Sequence, residues 1–118
     1  MKRFVLCAAV VVALSVAPTA VAANSIAANP SSPTVASGVY FTVDGKGTGG
    51  RDYLAISVTC SGGGAVVYST RIFVTLVNGA GTSQTLYPPA SSCVANLEAP
   101  QSINKFRVLE TITFDVSP

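Results

Sequence analysis

From Gly38 to Val116 apolar and polar residues alternate, and no stretch shows the three-to-four spacing of an amphipathic helix. A period of two places successive side chains on opposite faces of a pleated strand. In VYFTVD (39–44), Val39, Phe41 and Val43 share one face, and Tyr40, Thr42 and Asp44 the other. YLAISVTC (53–60) sets Leu54, Ile56, Val58 and Cys60 inward and Ala55, Ser57 and Thr59 outward. AVVYSTRIFVTLV (65–77) reads as one long bent strand or two, with Val66, Tyr68, Ile72, Val74 and Leu76 on one parity. CVANL (93–97) aligns Cys93, Ala95 and Leu97. In INKFRVLETITFDV (103–116), Phe106, Val108, Ile112, Phe114 and Val116 face inward, and Glu110 interrupts that face. Tyr40, Tyr53 and Tyr68 are read as ordinary strand residues.

Turn chemistry separates these runs. GKGTGG (45–50) predicts a mobile connection and SGGG (61–64) a turn, since glycine adopts positive φ at little cost. Asn78-Gly79 within NGAGT (78–82) is a hairpin signal. SQTLY (83–87) reads as a weaker, polar edge strand, stopped by Pro88-Pro89, and EAPQS (98–102) as a turn. Short strands at such intervals predict an all-β fold, an antiparallel β-sandwich of about seven strands over residues 38–118. Glu110 then has two accounts. It is buried beside Arg51, Arg71 or Arg107, or it lies past the edge of the core and blocks strand-to-strand association. The second is favoured.

The beginning of the chain reads as an address. Lys2 and Arg3 precede the uncharged run FVLCAAVVVALSVA, and Ala20-Val21-Ala22 fits a small-x-small cleavage site. This order predicts a signal peptide over residues 1–22, too short to span a bilayer comfortably. Cys7 falls inside the segment to be removed. Residues 23–37, ANSIAANPSSPTVAS, lack periodicity and predict a flexible N-terminal arm. The expected product is secreted or held at the cell envelope, of bacterial type, with no membrane span after processing. Lys2 and Arg3 are two of the seven basic residues, so the remaining five balance the five acidic ones. A neutral chain without a basic patch argues against nucleic acid as a partner.

Processing leaves Cys60 and Cys93, both on the apolar faces of their strands. An even cysteine count in an exported protein predicts a disulfide, here Cys60–Cys93. A reactive or metal-bound thiol would sit in a polar or basic setting, and none is written here. LAISVTC resembles the cysteine-bearing strand B of immunoglobulin-like domains, and CVANL with KFRVLETITFDV resembles strands F and G. The resemblance implies an immunoglobulin-like sandwich over residues 38–117 and carries no function with it. The chain departs from the pattern in three ways. It has no tryptophan to pack on the bridge, Ser91 stands where the tyrosine corner would be, and the turn after Cys60 is short enough for a same-sheet hairpin.

Histidine is absent throughout, which removes Ser-His-Asp and Cys-His catalysis and the common zinc sites. Gly45, Gly47 and Gly50 satisfy G-x-G-x-x-G, but a strand and not a helix is expected to follow. Asp44 and Asp52 flank one loop and read as solubilising charges, without calcium-loop spacing. The chain is therefore expected to be no enzyme and to need neither cofactor nor metal. LYPPASSC (86–93) is the candidate recognition loop: Pro88 and Pro89 stiffen it, Tyr87 offers a flat amphipathic face, and Ser91 lies near the end that Cys93 would pin. These features predict a small secreted binding or interaction module contacting an extracellular protein or glycan. Its alternatives are a protease inhibitor presenting Tyr87–Ser92 and a self-assembling envelope component. The sequence leaves the oligomeric state open.

Overall fold

The computed structural model describes residues 24–118. The expected signal peptide over 1–22 lies outside the described residues. Two antiparallel sheets make up the fold. The first joins β1 (Ser25–Asn29), β2 (Tyr40–Asp44) and β5 (Ala80–Thr82) in the order β1-β2-β5. The second joins β3 (Tyr53–Gly62), β4 (Ala65–Thr75), β6 (Ser91–Ser102) and β7 (Lys105–Val116) in the order β4-β3-β6-β7.

The alternation in the sequence maps onto the core. Val39, Phe41 and Val43 of the first sheet pack against Leu54, Ile56, Val58, Ile72, Val74, Ala95 and Leu97 of the second. Phe41 meets Phe114 edge-on, ring centroids 5.8 Å apart, an arrangement the aromatic quadrupoles favour. Cys60 and Cys93 are directly opposed partners on the neighbouring strands β3 and β6 and form a disulfide with sulfurs 2.10 Å apart. The bridge therefore lies within one sheet, as the short turn after Cys60 suggested, and not between sheets as the immunoglobulin resemblance implied.

Several expectations are corrected. Ser25–Asn29, placed in a flexible arm, is a strand paired along its length with β2, Ile26 opposite Val43. Further on, Pro33 is fully buried and the chain is tied to the C-terminal residues: Val35 N–H donates to Ser117 O at 2.9 Å and Ser117 N–H to Pro33 O at 3.0 Å. Residues 45–50 contain a short 3-10 turn, Lys46–Thr48, against which the buried Gly45 is fixed by a bond to Gly79 O. Asn78 (φ 54°) and Gly79 (φ 80°) make the expected tight turn, but Ala80–Thr82 is already a strand and crosses to pair with β2. Residues 83–87, in contrast, form no strand and are held to the first sheet at two points: Ser83 N–H donates to Phe41 O at 2.8 Å while its Oγ accepts from Phe41 N–H at 2.9 Å, and Leu86 bridges Val39.

The β6–β7 hairpin differs most from its reading. Residues 98–102 continue β6, and the turn falls at Ile103-Asn104. Pro100 is tolerated because β3 pairs with β6 only as far as Glu98 opposite Ala55, so no third strand asks for its missing N–H. Leu97 pairs with Glu110 while Glu98 pairs with Val108, which leaves Leu109 as an extra residue in a β-bulge. The bulge reverses parity. Ile112, Phe114 and Val116 keep the core side, with Leu109 packed at its margin, and Phe106 and Val108 move to the outer face. Glu110 is exposed on the edge strand. A second bulge, between Cys60 and Ser61, leaves Val67 as the extra residue in β4, and Val66 is exposed outside the core.

Candidate functional site

The outer face of the four-stranded sheet carries the most organised surface chemistry. Tyr53, Ala55 and Ser57 of β3 alternate outward and oppose Thr75, Phe73 and Arg71 of β4. On the other side, Ala55 and Ser57 oppose Glu98 and Asn96 of β6. Arg71 reaches across β3 to Glu98: Nε donates to Oε1 at 2.9 Å and Nη2 to Oε2 at 3.4 Å. The Arg71 side chain is 41% exposed and that of Glu98 7%. Ala55, expected outward, is fully buried between Phe73 and Glu98. Glu98 is the one buried carboxylate among the described residues, so the paired buried acid is Glu98 and not Glu110.

Aromatic rings stand around this ion pair. Tyr53 and Phe73 meet edge-to-face at 5.9 Å, and Phe73 and Phe106 are tilted at 6.5 Å. The Arg71 guanidinium carbon lies 3.9 Å from the Phe106 ring centroid, a cation–π contact. The same guanidinium thus fixes a carboxylate and a ring, which pre-sets the positions of both. Beside the rings opens a shallow concavity of about 320 Å³, lined by Tyr53, Phe73, Phe106, Pro100, Ile103 and the polar Gln101 and Ser102. Arg51 Nη1 donates to Pro100 O at 2.8 Å and anchors the rim. Tyr53 is 48%, Phe73 57% and Ile103 92% exposed, so the apolar groups face solvent.

The loop singled out in the sequence lies elsewhere. Leu86 is buried and exchanges two backbone hydrogen bonds with Val39, Leu86 N–H to Val39 O at 2.7 Å and Val39 N–H to Leu86 O at 2.8 Å. Tyr87 is 64% exposed, and its ring rests on Gly38. Pro88 is fully buried, Pro89 is exposed, and Ser91 Oγ donates to Pro89 O at 2.7 Å. Only Tyr87 and Pro89 of the four candidate residues present substantial surface.

The sequence reading missed the Tyr53–Phe73–Phe106 cluster. Tyr53 and Phe73 occupy outward strand positions, and that parity was legible. Phe106 reads as a core residue in the sequence, because the Leu109 bulge is not visible in an alternating pattern. Among the described residues, no helix is long and apolar enough to cross a membrane. The fold and the site define a disulfide-linked, two-sheet all-β domain with an aromatic surface cluster. No protein-family model, curated protein or solved structure matches the chain.

Proposed function

We propose that this chain is a small exported, non-catalytic binding module whose contact surface is the aromatic concavity on the outer face of the four-stranded sheet. The observation that carries the reading is the row of rings formed by the solvent-facing Tyr53 and Phe73 and the half-buried Phe106, each in contact with the next and braced by Arg71 and Glu98. Exposed aromatic groups on a rigid sheet lose little entropy when they meet a partner. Gln101 and Ser102 at the rim supply hydrogen-bonding groups beside the apolar surface. This combination suits a ligand with flat apolar patches edged by polar groups, as a glycan ring or an extracellular peptide provides. The disulfide and the leader-like N-terminus support export. The absence of histidine and the engagement of Glu98 by Arg71 support a role without catalysis.

The immunoglobulin-like reading belongs here also. Its support is the strand order: β1-β2-β5 facing β4-β3-β6-β7 corresponds to strands A-B-E facing C′-C-F-G. In that alignment LAISVTC is strand C and not strand B, because Ser25–Asn29 takes the first place.

The test is an immobilised array of glycans and extended peptides probed with the processed protein. Binding by the parent that is lost in Phe73→Ala and Tyr53→Ala, and kept in Tyr87→Ala, is the expected result. Binding that survives Phe73→Ala but fails in Tyr87→Ala would transfer the function to the 87–92 loop and favour the inhibitor reading.

A further inference from the structure

The two edges of the four-stranded sheet are unequal. β7 is guarded: it carries Lys105, Arg107, Glu110 and Asp115, bulges at Leu109, and its end is engaged by residues 33–35. Charges, bulges and cover are the devices that prevent a strand from pairing with another chain. β4, at the opposite edge, has no proline, a single charge in 11 residues, and a bulge only near its start.

The register identifies which backbone groups face that edge. Leu76 N–H donates to Asp52 O at 2.8 Å, so Leu76 turns its polar groups toward the β3 side. In an antiparallel ladder this orientation alternates. Val74, Ile72 and Thr70 therefore bond to β3, and Thr75, Phe73, Arg71 and Ser69 direct N–H and C=O to the open edge. Gly81 packs directly on the Thr75 carbonyl and closes that end. The segment left open is centred on Ser69, Arg71 and Phe73.

We infer that this edge pairs with the same edge of a second copy, antiparallel about a two-fold axis at Thr70. The choice of partner follows from self-complementarity. Of the registers that match outward groups, centring on Arg71 sets like charges directly opposite, and centring on Ile72 needs the closed Thr75. Centring on Thr70 opposes Arg71 to Ser69 of the second copy and Phe73 to Val67. Phe73 and Val67 are 57% and 45% exposed, so two apolar side chains approach each other at each end of the seam, beside the aromatic concavity. Thr70 meets Thr70, and no charge of the second copy lies directly opposite Arg71. The result is one continuous eight-stranded sheet across two copies.

The test uses the processed protein in analytical ultracentrifugation from micromolar to millimolar concentration. A reversible dimer is expected. Ser69→Arg, which opposes arginine to Arg71, should weaken it about tenfold, and Ser69→Glu should tighten it by a similar factor. Thr70→Cys should give a disulfide-linked dimer on mild oxidation, since the two Thr70 positions form a close, non-hydrogen-bonded pair. A monomer at every concentration overturns the inference. A dimer indifferent to both Ser69 variants overturns it too, as does a Thr70→Cys protein that folds but does not cross-link.

Discussion

Arg71 and Glu98 sit on strands that do not touch, and the guanidinium spans the intervening β3 to hold the carboxylate at 2.9 and 3.4 Å. The span is open because the β3 residue between Phe73 and Glu98 is Ala55, whose small side chain leaves room above it. Removing Arg71 leaves a buried carboxylate without its counter-charge, which is costlier than never having had the pair. Arg71→Ala should lower stability by about 2 kcal/mol, a Tm fall of roughly 8–15 °C. Replacing both partners, Arg71→Met with Glu98→Leu, should restore most of the loss. Thermal denaturation of the parent and the two variants checks this, and equal losses in the single and double variants would refute it.

Much of the fold was legible because its core strands each bury one face. Leu54, Ile56, Val58 and Cys60 write their own orientation, as do Phe41 and Val43. Three kinds of feature were not. A bulge changes parity without changing composition, so Phe106 and Val108 read as core. A strand of small residues carries little pattern, so SIAAN read as an arm. A buried carboxylate gives no signal of its own, so Glu110 drew the attention that Glu98 merited. The candidate site depends on the first and third of these, since Phe106 and Glu98 are both held by Arg71. For that reason the sequence pointed to Tyr87, the most conspicuous loop aromatic, and passed over the sheet face.

Gly38 and Tyr87 give a second expectation. Gly38 has φ +66°, and a Cβ there would lie 2.7 Å from both Leu86 O and the Tyr87 ring. A side chain at this position is strained by the backbone and also collides with its neighbours. Gly38→Ala should cost about 1–2 kcal/mol and displace the Tyr87 ring. The chain has four tyrosines and no tryptophan, so near-ultraviolet circular dichroism should register the displacement. An unchanged tyrosine signal with unchanged stability would contradict the packing described.

Cys60 and Cys93 close a loop with a sequence separation of 33. Constraining a loop of that length in the unfolded chain stabilises a small domain by about 3–4 kcal/mol in the chain-entropy model. Cys60→Ala with Cys93→Ala should lower the unfolding free energy by about that amount, since both sites lie in a packed interior that tolerates a small apolar residue. Urea denaturation of parent and variant measures the difference. Non-reducing mass spectrometry of the processed parent should find both sulfurs in one intramolecular bond, and two thiols would remove the argument.

The last expectation concerns the beginning of the described chain. β1 contributes little area, but it occupies a place no other segment can take. It pairs with β2 from Ser25 opposite Asp44 to Asn29 opposite Tyr40, and it lies against β7 at the open side between the sheets. Ile26 is its one large apolar side chain and joins the central core, with Ala28 packed beside it. If the segment were a passive arm, shortening Ile26 would be neutral. As a sheet strand it should behave like a core position at the edge, where loss of an isoleucine to alanine costs about 2 kcal/mol or more. Ile26→Ala should therefore lower Tm and speed proteolysis in residues 24–37, and Ala27→Ser, on the exposed face, should do neither. The comparison isolates the buried face of β1 from its sequence position, and equal protease sensitivity in the two variants would return this segment to a tail.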